Sequence, residues 1–128
     1  MIIETITLNS DLCITLLDQT RHYFGGYYHV KVLVFCDIPL KPGYFENDAE
    51  FSHASEKMGA SVRFERILEK MAVPESGIDS IRGQLIQAFH ATAVAYLSAP
   101  DFAPLFVRSE YRKCVKKQPH TNKFTSVM

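Results

Sequence analysis

Residues 27–38 read "YYHVKVLVFCDI". Tyr28, Val30, Val32, Val34, Cys36 and Ile38 alternate with Tyr27, His29, Lys31, Leu33, Phe35 and Asp37. Successive side chains on a strand point to opposite faces, so the first set shares an apolar face and the second a mixed one. An alternation held from Tyr27 to Ile38 predicts one long strand, its apolar face in the core and its mixed face half covered. Pro39 and Pro42 close it, because neither can donate to a ladder. The Gly25–Gly26 pair just before it marks a hairpin turn rather than a phosphate-cradling loop.

Working outward, "IIETITL" (Ile2 to Leu8) and "DLCITLLD" (Asp11 to Asp18) read as two further strands, joined by a turn at Asn9–Asp11. "KPGYFENDAEFSHASEKMGAS" (Lys41 to Ser61) reads as a long loop with a short helical turn around Ala49 to Met58. "VRFERILEKMAV" (Val62 to Val73) fits a strand or a helix. The strand is preferred, because the Tyr27–Ile38 strand otherwise lacks a long-range partner.

"SGIDSIRGQLIQAFHATAVAYLS" (Ser76 to Ser98) is an amphipathic helix with Ile78, Ile81, Leu85, Phe89 and Tyr96 on one stripe. Ser76 and Asp79 have the spacing of a capping box. Pro100 ends this helix. "DFAPLFVRSEYRKCVKK" (Asp101 to Lys117) predicts a second, shorter helix capped by Asp101, with Pro104 tolerated in its first turn. The expected fold is α+β, an antiparallel sheet of about four strands with one long and one shorter C-terminal helix packed on one face. Residues 1–117 form the domain, and 118–128 a C-terminal tail anchored by Phe124.

Composition narrows the function classes. The 128 residues carry 14 Lys/Arg and 14 Asp/Glu, so no net field steers nucleic acid or membrane toward the chain. No apolar run reaches membrane-spanning length, and "MIIETITLNSD" lacks the form of a signal peptide. Cys13, Cys36 and Cys114 are too few for a disulfide framework. A cytoplasmic location is expected.

Chemistry-bearing motifs are sparse. HExxH, CxxC and GxSxG are all missing. His22, His29, Asp18 and Asp37 form a conceivable metal cluster. The plainer reading puts His22 in a polar turn and His29 on a half-exposed strand face, so neither metal nor cofactor is expected. His53 reads as a loop histidine and His120 as a tail histidine, both solvated. His90, near Ile86, Val94 and Leu97, reads as a buried or interface histidine. Cys36 alternates with valines and reads as an inert core thiol. Cys114 sits among Arg112, Lys113, Lys116 and Lys117, with no base or orienting partner to name. From Arg108 onward six Lys/Arg face one Asp/Glu. That run suggests nucleic-acid contact, but a basic helix end complementing the helix dipole explains it more simply.

The patterns "YYHVKVLV", "FERILEKMAVP" and "AYLSAPDFAP" resemble a family of small bacterial domains of unknown function, over about residues 12–106. These are packing motifs. The resemblance implies no activity or site residue, and it favours the strand reading of Val62–Val73 and a bacterial origin.

Aromatic residues are plentiful between Tyr23 and Phe51, more than a small core absorbs, and exposed tyrosines beside apolar area mark protein contacts. The leading expectation is therefore a non-catalytic protein-binding or assembly module, a homodimer, with His90 and Phe124 at the interface. The alternative is a small-ligand-binding protein or enzyme. Its pocket would lie near the Tyr27–Ile38 strand and the 41–61 loop, lined by Tyr27, His29, Asp37, Tyr44 and Phe45.

Overall fold

A computed structural model describes residues 1–8 and 12–123, with side chains up to Lys116. The Asn9–Asp11 turn and the Phe124 anchor lie outside the described residues. Five strands run over Ile2–Thr7 (β1), Cys13–Asp18 (β2), Arg21–Phe24 (β3), Tyr27–Pro39 (β4) and Ser61–Pro74 (β5). Three helices run over Asp48–Met58 (α1), Ile78–Ser98 (α2) and Phe102–Lys123 (α3). The chain forms two compact units. One comprises Met1–Asp37 with Arg63–Ala99, the other Ile38–Val62 with the chain from Pro100 onward.

The first unit is built on an antiparallel sheet. β1 pairs with β2, while β2, β3 and β5 all pair with β4. Asp18 lies opposite Val32 and Arg21 opposite His29, one unbroken register. β3 therefore continues β2 along the same edge of β4. Across the gap, the Gln19 N–H donates to the Lys31 carbonyl at 2.8 Å, and the Lys31 N–H donates to the Thr20 hydroxyl at 3.2 Å. The expected four strands thus become five because Gln19 and Thr20 interrupt one of them. Gly25 turns the hairpin at φ +56°, the left-handed region a tight hairpin turn requires.

The apolar face of β4 is sealed. Val30, Val32, Val34 and Ile38 have no accessible surface, and Ile14 and Leu16 of β2 have none either. Asp18 and Glu4 share this face, since they lie opposite Val32 and Leu16. Both carboxylates reach α2. Arg82 Nη2 stands 3.1 Å from Asp18 Oδ2, and His90 Nε2 stands 3.4 Å from Glu4 Oε2. These two pairs lay α2 along the core face. Its buried residues are Phe89, Ala93 and Leu97, spaced four apart. Tyr96, expected on the buried stripe, is 58% exposed. The Ser76–Asp79 box does not form either. Gly77 is the N-cap without a side-chain bond, and Asp79 binds Arg82 at 3.0 Å.

β5 confirms the strand reading of Val62–Val73. Its inward residues are Val62, Phe64 and Leu68, but Val73 is also buried, one step out of phase. Ala72, at φ +56°, supplies the phase change. An L-residue there is strained by roughly 1 kcal/mol.

In the second unit the helical turn expected around Ala49 to Met58 is a full helix, α1. Asn47 caps it, its Oδ1 accepting the Glu50 N–H at 2.8 Å, and Gly59 ends it at φ +86°. Only Ala54 is fully buried on α1. Leu40, Phe45, Ala54, Phe102, Ala103 and Val107 form this unit's core. α3 is not the shorter helix, having 22 residues against 21 in α2.

Two outcomes follow. Ala72→Gly should raise stability by up to about 1 kcal/mol in urea unfolding, because glycine adopts positive φ freely. Asp18 is the second case. Burial alone pushes its carboxyl up, but the Thr20 hydrogen bonds and Arg82 outweigh burial and hold it below its ordinary 3.8. A depressed folded value stabilises above pH 3.8 and is lost as pH falls through it. Asp18→Asn should cost about 1 kcal/mol at neutral pH, and the two proteins should converge in stability below pH 3.8.

Candidate functional site

The face of the sheet opposite α2 carries the odd-numbered residues of β4. His29 is buried there at 7% exposure, and its Nε2 lies 2.7 Å from Glu69 Oε1 of β5. The pair has apolar neighbours. Tyr27 lies two residues before His29, and Ile67 and Met71 lie two residues either side of Glu69, so alternation puts them on the same face. Phe24 is opposite Tyr27 across the turn and shares its side, with Tyr23 at the adjoining bulge. These five side chains are between 41% and 74% exposed.

Further along this face the contacts are polar. Arg63 donates twice to Asp37, at 2.8 and 3.0 Å, and its guanidinium covers the Phe35 ring at 4.1 Å. The hydrogen bond from Arg63 holds the Asp37 carboxyl below its usual range, so Asp37 is a committed anion. It lies eight residues from His29 on one strand, roughly 26 Å away. Tyr27 and His29 are therefore brought together, and Asp37 does not join them. Tyr44 and Phe45 belong to the other unit.

His22 points away from His29. It lies opposite Tyr28, packs edge-on against that ring at 5.4 Å, and donates to the Gly25 carbonyl. Among the described residues no three His, Cys, Asp or Glu gather as a metal site would need. His90 is about 40% exposed and bonds Glu4. Burial, with Asp37 and Cys13 nearby, pushes the Cys36 thiol up to about 11, which leaves it inert.

The second unit holds a polar cluster that sequence reading did not find. His53, expected to be solvated, is half-buried, and its Nδ1 stands 2.6 Å from Tyr111 Oη. The Tyr111 ring stands edge-on to Phe45 at 5.7 Å, and Phe45 meets Phe51 at 5.9 Å. Burial, then Glu50 and Cys114, raises the Tyr111 hydroxyl above its ordinary 10. Beside it opens a cleft of about 600 Å³ lined by Glu50, Ser109, Tyr111, Arg112, Lys113, Val115 and Lys116. His53 and Tyr111 are 58 residues apart, so no local pattern joins them.

No family model, curated protein or solved structure matches this chain. Among the described residues no helix is long and apolar enough to cross a membrane.

Tyr111→Phe should remove one phenolate transition above the ordinary 10 from an absorbance titration at 295 nm. Loss of its bond to His53 should also lower the melting temperature by a few degrees. A titration curve unchanged in its late phase would separate Tyr111 from the raised hydroxyl.

Proposed function

We propose that this protein is a non-catalytic assembly module that pairs with a second copy of itself through the sheet face around His29. The observation that carries the reading is the cluster of Tyr23, Phe24, Tyr27, Ile67 and Met71, exposed together beside the buried His29, which a half-exposed Glu69 holds. At about 200 Å² for a large side chain, their exposed parts amount to roughly 500 Å² per copy. A standard interface buries about 800 Å² per partner, so this patch supplies most of one. Tyrosines with apolar neighbours are the composition of an interface core, and Glu69, Arg63 and Asp37 on the same face suit its polar rim.

The face is favoured over the free edge of β5. That strand carries Arg63, Glu65, Arg66, Glu69 and Lys70, and charges of this kind blunt an edge against strand addition. A formal net charge of zero leaves no overall repulsion between copies. A twofold contact sets the same patch against itself and closes the assembly at two. A cytoplasmic location suits the free thiols of Cys13, Cys36 and Cys114.

Light scattering on a sizing column tests the reading. The protein should elute at twice the chain mass. Phe24→Asp with Ile67→Asp should elute as one copy, with circular dichroism of a folded protein, since both side chains are exposed. A single-copy mass for the unaltered protein at several hundred micromolar would sink the proposal.

A further inference from the structure

The basic stretch of α3 has lost its simplest explanation. A cation complements the helix dipole only within the last turn. α3 continues to Lys123, so Arg112 and Lys116 stand about three turns and two turns before its described end. Ion pairing does not account for them either. Lys113 binds Glu110 at 3.0 Å, whereas among the described residues Arg112 and Lys116 make no salt bridge. They are gathered instead. Ser109, Arg112, Lys113 and Lys116 fall at i, i+3, i+4 and i+7, one face of the helix. That face forms a wall of the 600 Å³ cleft. Three cations line the cleft against one carboxylate, Glu50.

We infer that this cleft is a binding site for a small phosphorylated molecule. Arg112 offers a planar fork that matches two phosphate oxygens, Lys116 a point charge, and Ser109 a hydroxyl donor. The cleft has the volume of a small-ligand site. Tyr111 closes one side and is held still by His53 and by the Phe45 ring. The wall it offers is therefore formed before any ligand arrives, which lowers the ordering cost of binding. Glu50 selects within the class: it repels a bare anion and accepts a hydroxyl, so a phosphate ester of a polyol fits better than inorganic phosphate. This site is independent of the pairing surface, which lies on the other compact unit.

Isothermal titration of the full chain tests the assignment, with inorganic phosphate, pyrophosphate and glycerol 3-phosphate as probes. Glycerol 3-phosphate should bind saturably and more tightly than inorganic phosphate. Arg112→Gln with Lys116→Gln should weaken it about tenfold or more. Lys41→Gln with Lys70→Gln, which removes the same charge elsewhere, should leave it unchanged. Both pairs are exposed, and melting curves confirm that each variant is folded. Lys116→Gln alone should give an intermediate loss, which provides a second measure if the double variant fails. No saturable heat with any probe at ten millimolar overturns the proposal, and so does an equal loss in the control pair. A single-stranded oligonucleotide that binds more tightly than the ester and is displaced by salt would also overturn it, in favour of a nucleic-acid surface.

Discussion

The dry stripe along β4 is the constraint on which the first unit depends. Val30, Val32 and Val34 are sealed from water on one face of a strand that is paired along both edges. A fully buried aliphatic side chain contributes roughly 1.5–3 kcal/mol relative to exposure. A one-residue slip of β4 would turn this stripe to the open face and bring His29, Lys31 and Asp37 into the core. That penalty fixes the registers of β2 and β3 together. It also explains why one strand can be interrupted at Gln19–Thr20 and resume in the same register.

Charge does a different task on the same face. Asp18 and Glu4 stand at the margin of the apolar stripe, and Arg82 and His90 meet them from α2. Apolar contact is non-directional, so it holds a helix on a sheet without choosing its position along the axis. Two polar contacts eight residues apart on α2, the Arg82–Asp18 ion pair and the His90–Glu4 hydrogen bond, do choose it. Their net strength is modest, and their effect is on placement more than on stability. The open face follows another logic: it buries one histidine, commits Asp37 to Arg63, and leaves its largest apolar side chains in water.

Much of this was readable locally. The alternation in β4, the glycine turn and the stops at Pro39 and Pro100 are short-range signals, and the corresponding elements stand where they were expected. Tyr27 and His29 share one face, as a period of two requires. The errors arose where local signals are silent. Tyr96 belongs to the stripe by spacing, yet Phe89, Ala93 and Leu97 are the residues that α2 buries. Asp37 was placed with His29 by face alone, although eight residues of extended chain keep them far apart.

By itself the sequence determined the α+β class, the long central strand, its sealed face and its hairpin, because steric alternation and turn chemistry act within a few residues. The tertiary structure alone decided the pairings of His29 with Glu69, Arg82 with Asp18 and His53 with Tyr111. In each the partners are distant in the chain, and their meeting depends on how whole elements are laid against one another. The length of α3 was decided at the same level. That length takes Arg112 and Lys116 away from the helix end and sets them on the wall of a cleft.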